Sequence, residues 1–311
     1  MTRVEAAAVP ERPLAAADVA AAAQVACLLE ASAPKPGNVS PGRHFADTRY
    51  EDFLASAAAI GGPLAGAGTR PVGATVRLAI EATRRWTRSN TNLGIVLLLT
   101  PIARAALASP SSGMTLRVTS EVTQLREEVA RVLDATTVDD ARDVYAAIRL
   151  ASPGGLGRVE AQDVSGDPDV TLLDAMRLAA DRDAVAREYA TAFEMTFETG
   201  APALDLARRD GLPWDEAVVE TFLSVLAAAP DTHVARRAGA AAAADVTERA
   251  RRTLAAGGVR SAAGRRAIGE LDRDLRDARN IGSPGTTADL TAAAIYVVLL
   301  GGGYKYKVHS A

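Results

Sequence analysis

The hydrophobic residues of this chain recur at intervals of three and four along most of its length. In the first such segment, residues 14–33, the apolar positions Val19, Ala23, Ala26 and Leu29 fall on one face of an α-helix. Alanine and other strong helix formers fill most of the positions between them. The spacing therefore predicts an α-helix that ends at the following proline.

The same spacing, read with its start and stop signals, predicts helices through the rest of the chain. They cover residues 47–60, 74–86, 90–107, 120–133, 172–199, 213–226, 240–254 and 262–277, with further helices after the Thr137-x-x-Asp140 capping box and at the apolar C-terminal end. Asp47 is a candidate N-cap, residues 61–73 are expected to form a loop, and the 172–199 helix is expected to break near 181–183.

Alternation with period two, which is typical of strands, is confined to a short run at 114–119. We therefore expect an all-α fold. It would form a single multi-helix domain over residues 14–303 between tails at 1–13 and 304–311, with irregular Asn/Gly/Pro/Asp loops lining one cavity.

The loop after the first helix contains residue types that the chain otherwise rarely uses. In PKPGNV the two prolines exclude a continuing helix. Lys35 is one of three lysines, the others being in the C-terminal tail, and Asn38 and His44 follow it. Glu30 precedes this loop and either faces it or is a solvated carboxylate. Because arginine and alanine dominate elsewhere, the pattern favours a functional site over the alternative of an ordinary turn.

Two further loops begin helices with polar groups suited to anions. Asn90, Thr91, Asn92 and Gly94 lie in NTNLG, before an apolar helix whose free N–H groups and dipole favour phosphate. An ordinary side-chain cap would show the same sequence. In SPGTTADL, Asp289 is either a helix cap or a functional carboxylate.

Charged residues gather in the two remaining loops. Asp181 and Asp183 lie at the expected helix break, where two carboxylates either converge on a metal ion or form a solvated acidic turn. The segment DTHVARRAG then supplies an acid, a histidine and two arginines: Asp231, His233, Arg236 and Arg237. Arginine forks match the geometry of phosphate oxygens.

Composition narrows the class of protein. A formal net charge of −3 and a pI of about 5.8 argue against a nucleic-acid surface. Cys27 is the only cysteine, so no internal disulfide can form. Charges near the N-terminus argue against a signal peptide, and the longest apolar run, 292–300, is too short to span a bilayer. We expect a cytoplasmic protein that binds neither nucleic acid nor membranes, with its oligomeric state open.

Together the five loops offer helix N-termini, cations and carboxylates, a set suited to a polyphosphate with Mg²⁺. No P-loop, Ser–His–Asp order or zinc-ligand spacing is present in the sequence. The glycine cluster at 153–157 lacks the preceding strand of a dinucleotide fingerprint. We expect the loops to converge on one cavity although they lie far apart in sequence.

In their order along the chain these motifs resemble the triphosphoribosyl-dephospho-CoA synthases, also called ATP:dephospho-CoA triphosphoribosyl transferases. The resemblance covers roughly residues 24–300 and rests on Glu30 with PKPGNV, NTNLG, the DRD-to-Tyr189 segment, DTHVARRAG and SPGTTADL. It implies an all-α enzyme that removes adenine from ATP. The triphosphoribosyl group would be joined through C1 to the 2′-hydroxyl of 3′-dephospho-CoA or a related acceptor.

The resemblance also implies roles for particular residues. Catalysis would involve Glu30, His44, Asp231, His233 and Asp289, with Asp231 or Asp289 as base or metal ligand and His44 or His233 as acid. Substrates would be bound by Lys35, Asn38, Asn90, Thr91, Asn92, Gly94, Tyr189, Arg236, Arg237, Asn280, Gly285 and Thr286. Mg²⁺, arriving with ATP, would be held by Asp181, Asp183 and Asp231.

Three departures from the family pattern suggest a divergent branch. Where the family usually has NTHKG, this chain has Asn92-Leu93 in place of His-Lys. Ala238 replaces a glycine of the usual RRGG, and Thr286-Thr287 replaces the Gly-Ser of the usual PGGSADL. Without the usual lysine in NTHKG, Lys35 becomes the expected ammonium for the triphosphate. The competing hypotheses are an all-α, Mg-dependent hydrolase of a nucleotide or ADP-ribosyl bond, and a non-catalytic helical scaffold.

Overall fold

The computed structural model describes residues 14–108, 119–152, 162–276 and 281–303, and helices dominate these ranges. The helices are α1 (Ala16–Ser32), α2 (Tyr50–Ala59), α3 (Gly61–Ala65), α4 (Val72–Arg84), α5 (Leu93–Ala108), α6 (Thr119–Asp134), α7 (Val138–Ala151), α8 (Leu172–Ala179), α9 (Ala184–Ala190), α10 (Ala201–Arg209), α11 (Trp214–Ala228), α12 (Thr232–Ala238), α13 (Ala240–Ala255), α14 (Ala262–Leu275) and α15 (Gly285–Leu300). A π-helical turn (Met195–Gly200) and a 3₁₀ turn (Gly258–Arg260) complete the set.

The prediction of an all-α fold is confirmed. Among the described residues, β-type pairing is limited to a single bridge between Ser40 and Arg43. No helix in these ranges has both the length and the apolar character needed to cross a bilayer. The expected tails at 1–13 and 304–311 and the glycine cluster at 153–157 lie outside the described residues.

The core is organised around α15, which is buried on almost every side because nearly all its residues are apolar or small. It packs against α1, α5, α10 and α11. The Tyr296 hydroxyl donates to the Val19 carbonyl at 3.1 Å and so ties α15 to α1. Helix α5 is buried in the same way. Two central helices therefore begin in the loops predicted to bind anions.

Pro101 lies inside α5 and explains the position of Tyr189. A proline has no N–H, so the carbonyl of Leu97, four residues earlier, lacks its helical donor. The Tyr189 hydroxyl donates to that carbonyl at 2.7 Å, and the side chain is buried. Tyr189 does not line the cavity described below. Its predicted role in substrate binding is therefore replaced by a structural one.

Two predicted boundaries were wrong. Helix α2 begins at Tyr50, not at Asp47, because Arg49 forms the capping box with Asp52. Residues 61–65, predicted as loop, form α3. Proline is tolerated in a first helical turn, where its missing N–H would have no intrahelical partner in any case.

The long segment predicted at 172–199 breaks at 181–183 as expected and again at 191–193. At the second break Ala192 and Phe193 have φ of 49° and 60°. The buried Glu188 carboxylate accepts from the Met195 and Thr196 amides, each at 2.9 Å, and so caps the π-helical turn. This second break had no glycine or proline to announce it.

Candidate active site

A cavity of about 1010 Å³ lies where the predicted loops meet. Every one of the five loops contributes to its wall, through Glu30, Asn38, Asn90, Thr91, Asn92, Gly94, Asp183, His233, Arg236, Arg237, Gly285, Thr286 and Asp289. The predicted convergence of the loops is thus confirmed by geometry. Asn280 lies outside the described residues.

Glu30 and Lys35 form a buried ion pair at one part of this wall. The Lys35 side chain is 0 % exposed, and its Nζ lies 2.9 Å from Glu30 Oε1. The ammonium also contacts the backbone carbonyls of Glu30 and Ala33 at the end of α1. Glu30 lines the cavity, whereas Lys35 does not. The expected contact between Lys35 and a triphosphate is therefore wrong for this geometry.

The rest of the PKPG loop is fixed by α14. Gly37 has a φ of +73°, which favours glycine, and its N–H donates to Asp272 Oδ1 at 2.9 Å. The Asn38 side chain donates to the Pro36 carbonyl at 3.1 Å. Asn38 thus reaches the cavity on a backbone that both its neighbours and α14 hold in place.

The NTNLG loop is anchored to two neighbouring helices. Asn90 Oδ1 accepts from the Leu93 N–H at 3.2 Å, as in a side-chain cap. The Asn92 amide donates to Thr83 in α4 at 3.0 Å, and the Thr91 hydroxyl contacts Ser56 in α2. These contacts support the capping interpretation for Asn90, while all three residues still line the cavity.

Asp289 lies beside the start of α5, because Gly94 leaves room for it. A Cβ at position 94 would fall 2.1 Å from Asp289 Oδ2, so any other residue there would displace the carboxylate. The Asp289 carboxylate accepts no hydrogen bond within the described part of the chain. The alternative of a helix cap is therefore not supported, and the carboxylate is available to a ligand.

Burial and neighbouring carboxylates perturb the pKa of Asp289. Desolvation raises the pKa well above its usual range, and the negative charges of Glu30, Asp231 and Asp183 raise it further. Arg236 opposes this effect only in part. A carboxyl group in this position retains its proton at a pH where ordinary aspartates are ionised, as a general acid requires.

The Asp231 carboxylate is fully engaged in structure. Its Oδ1 accepts from the Val234 N–H at 2.9 Å and so caps α12. Its Oδ2 accepts from the N–H and the hydroxyl of Thr287, each at 2.7 Å. Asp231 is 2 % exposed and does not line the large cavity. The predicted role as base or metal ligand does not fit this arrangement, since one oxygen caps α12 and the other binds α15.

His233, by contrast, lines the cavity. Its Nδ1 lies 3.0 Å from the Ser283 carbonyl, which can only accept, so Nδ1 carries the proton and Nε2 has the lone pair when the ring is neutral. Burial lowers the pKa of His233, the charges of Arg236 and Arg237 lower it further, and Asp231 and the Ser283 carbonyl oppose the shift. A neutral imidazole of this tautomer is suited to accept a proton.

Arg236 pairs with Asp183 at 2.7 Å, and both line the cavity. Asp183 also caps α9 through the amides of Val185 and Ala186. The Nε of Arg236 is buried and has no hydrogen-bond partner. An unpartnered donor of this kind is costly unless a ligand accepts from it.

The predicted metal residues do not come together. Asp181 is exposed and does not line the cavity, the oxygens of Asp231 are engaged, and Asp183 is paired with Arg236. No group of three potential ligands of the His, Cys, Asp or Glu type occurs in the described ranges. These residues do not fit a magnesium site made by protein ligands alone.

His44 also lies apart from the cavity. It is exposed, and its Nδ1 accepts from the Tyr50 N–H at 3.2 Å at the start of α2. The predicted role as a catalytic acid does not fit this position. Its neighbour Phe45 lines the cavity, as do Asp47 and Thr48, but the His44 ring does not.

Two arginines of the cavity wall escaped sequence reasoning, namely Arg88 and Arg182. Their positions beside NTNLG and between two aspartates were visible, but arginine is too common in this chain to signal a site. The wall also includes apolar residues from α7 and α8, chiefly Val144, Ile148 and Met176. Their helical spacing resembles that of ordinary core residues, so the sequence could not distinguish them.

One cavity of an all-α chain thus brings together a carboxyl, an imidazole and a guanidinium whose Nε has no hydrogen-bond partner, a set that is typical of helical enzymes with acid–base chemistry. The model of the ATP:dephospho-CoA triphosphoribosyl transferase family matches residues 16–308. The chain therefore belongs to this family.

Relatives and a solved structure agree with the family. A protein of Pseudomonas syringae pv. syringae, named as a probable 2-(5''-triphosphoribosyl)-3'-dephosphocoenzyme-A synthase, is 30 % identical over 71 % of this chain and 75 % of its own length. A protein of the same name from Pseudomonas paraeruginosa is 42 % identical over 36 % of this chain and 38 % of its own length. A crystal structure from Archaeoglobus fulgidus, provisionally named triphosphoribosyl-dephospho-coA synthase, has a TM-score of 0.58 and 27 % identity, covering 80 % of this chain and 99 % of that one.

The extent of these matches is uneven. The chain spans about 38 % of the length of the first curated relatives that it matches.

Proposed function

We propose that this protein transfers the triphosphoribosyl group of ATP to the 2′-hydroxyl of 3′-dephospho-CoA, or of a related acceptor, and releases adenine. The observation that carries the proposal is the family match over residues 16–308, whose motifs line one cavity. This match favours transfer over the hydrolysis considered from the sequence. A cytoplasmic location, where both substrates would be available, is part of the proposal.

The triphosphate would be bound by the arginines of the cavity wall. Arg236 and Arg237 come from α12, Arg88 precedes NTNLG, and Arg182 precedes α9. The buried, unpartnered Nε of Arg236 supports an anionic ligand in this part of the cavity. Guanidinium groups suit the task because they bind phosphate oxygens through two parallel hydrogen bonds.

Breaking the bond between adenine and the sugar leaves positive charge on C1 of the ribose in the transition state. We assign the Glu30 carboxylate to the stabilisation of that charge, since it lines the cavity as the anion of a buried pair. Asp289, whose pKa is raised, would donate its proton to the departing base as the C–N bond electrons move onto adenine.

The attacking hydroxyl must lose a proton as the new C–O bond forms. We assign this proton to Nε2 of His233, because Nδ1 is already committed to Ser283. One proton thus leaves Asp289 and one arrives at His233, so the overall transfer is balanced. Return of a proton from His233 to Asp289 through solvent would complete the cycle.

Magnesium would enter with ATP, held mainly by phosphate oxygens, as is usual where a protein offers only one or two carboxylates. Asp183 is the carboxylate that we expect to share it, since Asp181 and Asp231 are excluded by position and by hydrogen bonding. The ion would neutralise triphosphate charge, and no proton-transfer step depends on it.

The test is to incubate the purified protein with Mg-ATP, with and without dephospho-CoA, and to follow adenine and the products by mass. We expect adenine only when the acceptor is present, together with a product heavier by one triphosphoribosyl group. Adenine release without an acceptor would indicate hydrolysis instead. No reaction with ATP under either condition would contradict both activities.

A further inference from the structure

Lys35 has no exposed side-chain surface, although it belongs to a loop that lines the cavity. Its ammonium has three N–H donors and meets three acceptors: Glu30 Oε1 and the carbonyls of Glu30 and Ala33. All its hydrogen-bonding capacity is therefore used inside the protein. A cation placed in this way is not available to a phosphate in the cavity.

The partner of Lys35 is the residue with access to ligands. Glu30 is only 3 % exposed, yet it forms part of the cavity wall. An ionised carboxylate at such a site is costly without a paired charge, and removing one partner of a buried pair leaves the other uncompensated. Lys35 therefore compensates the charge of Glu30 and fixes where that charge lies.

The backbone of the PKPG loop restricts the movement of Lys35. Pro34 and Pro36 restrict the backbone on either side of it. Gly37 is held by Asp272, and the position leaves no room for a side chain, because a Cβ there would lie 2.8 Å from the Cβ of Leu275. The ammonium has neither a mobile backbone nor an exposed stem with which to move toward the cavity.

Resting on the proposed function, we infer that Lys35 is a positioning residue that fixes the Glu30 carboxylate, as an anion, beside the ribose carbon at which positive charge develops. The neighbouring Asp289 supports this placement. Both carboxyl groups line the same cavity, and the charge of Glu30 is among the causes that raise the pKa of Asp289 after burial. The two carboxyl groups would then have separate tasks, one paired with Lys35 and one kept protonated.

The experiment compares Lys35→Met, Glu30→Gln and the double variant with wild type, measuring kcat and KM for ATP with dephospho-CoA as acceptor. Methionine keeps the volume of the lysine stem and removes the charge. We expect the KM for ATP to remain within about twofold in all three, and kcat to fall roughly 100-fold, the effect of losing one preorganised electrostatic group. The double variant should lose no more kcat than the worse single variant.

The pH profile separates positioning from a merely structural role. Glu30→Gln removes the charge that raises the pKa of Asp289, so the alkaline limb of kcat should move to lower pH. In Lys35→Met the Glu30 carboxylate loses the contact that holds it beside Asp289, so the limb should move in the same direction. Arg43→Met is the matched control. It removes a half-exposed cation near the same loop, which pairs with Asp272 and not with Glu30, and should leave the profile unchanged.

Two results would overturn the inference: a KM for ATP raised tenfold or more with kcat unchanged in Lys35→Met, or kcat losses that multiply in the double variant. If Lys35→Met does not fold, Glu30→Gln and the double variant must still share the same kcat and pH profile. If wild type transfers nothing, the proposed function fails by itself. In that case calorimetric binding of Mg-ATP tests the inference about Lys35 separately. Weaker binding by the double variant than by Glu30→Gln would show that Lys35 contacts phosphate.

Discussion

Two loops of the cavity wall each contain a buried charged residue behind the residues that face the cavity, but the two buried charges have opposite signs. In the PKPG loop a buried cation, Lys35, holds an anion, Glu30, at the cavity. In the 231–237 segment a buried anion, Asp231, supports the turn that presents His233 and Arg236. In each loop the most deeply buried charge is the one least able to meet a substrate.

The two loops differ in how far their buried charges reach. Lys35 binds groups within five residues of itself, so its contacts are local to the end of α1. Asp231 binds Thr287, which lies 56 residues away at the start of α15. Loss of Lys35 should therefore affect one carboxylate, whereas loss of Asp231 should separate two loops. Charge burial alone does not tell which residues hold the site together.

The largest effect is expected at Asp231. Asp231→Ala leaves the buried amides of Val234 and Thr287 without their acceptor, and hydrogen bonds to a charged group contribute about 1.5–3 kcal/mol each. We predict a loss of about 3 kcal/mol in the free energy of unfolding by urea, together with nearly complete loss of activity. Asp139→Ala, whose side chain is 83 % exposed, is the control and should change stability by less than about 0.5 kcal/mol. A loss below about 1 kcal/mol for Asp231→Ala would show that the two loops hold together without it.

The two described histidines form the next comparison. His233→Gln keeps a donor for the Ser283 carbonyl but removes the proton acceptor, so kcat should fall roughly 100- to 1000-fold with little change in ATP binding. His44→Gln alters an exposed ring outside the cavity and should have wild-type kinetics. Equal losses in both variants, measured by adenine release with acceptor, would contradict the assignment.

Asp289 should respond to pH in the direction opposite to His233. Activity should rise as the pH increases through the lowered pKa of His233 and fall as it increases through the raised pKa of Asp289, which gives a bell-shaped profile. Asp289→Asn should remove the alkaline limb and most of the activity.

The same substitution should also stabilise the fold. A carboxyl whose pKa is raised on folding binds its proton more tightly when folded, so stability falls as the pH rises from the unfolded pKa to the folded one. Asp289→Asn should therefore unfold at a higher urea concentration than wild type at neutral pH, whereas Asp231→Asn should unfold at a lower one. If both variants were destabilised, Asp289 would also have to be a structural carboxylate.

The sequence predicted that the PKPG loop and the 231–237 segment belong to a site, but it did not predict which charged residue of each loop faces the cavity. Rare residue types marked the PKPG loop as functional, and helical spacing defined the elements around it. Whether a lysine between two prolines points inward depends on the packing of α14 against Gly37, more than 200 residues away. The close approach of Gly94 to Asp289 and the bond from Tyr189 to Leu97 are likewise tertiary facts. The local sequence pattern thus indicates which chemistry a loop can support, whereas contacts with residues far away in sequence set the orientation of its side chains.

The smallest effect is expected at Arg236. Its guanidinium keeps one hydrogen bond to Asp183 and has an unpartnered Nε in the cavity wall, so we expect it to contribute one of several phosphate contacts. Arg236→Lys keeps the charge but loses the fork, and should raise the KM for ATP about tenfold, or about 1.4 kcal/mol, with kcat within a few fold of wild type. Arg177→Lys, in an exposed pair with Asp174, is the matched control and should not change either constant. Competition by inorganic triphosphate adds a direct readout, since its inhibition constant should rise in parallel with the KM. An unchanged inhibition constant in Arg236→Lys would place the triphosphate elsewhere on the wall, nearer Arg88 or Arg182.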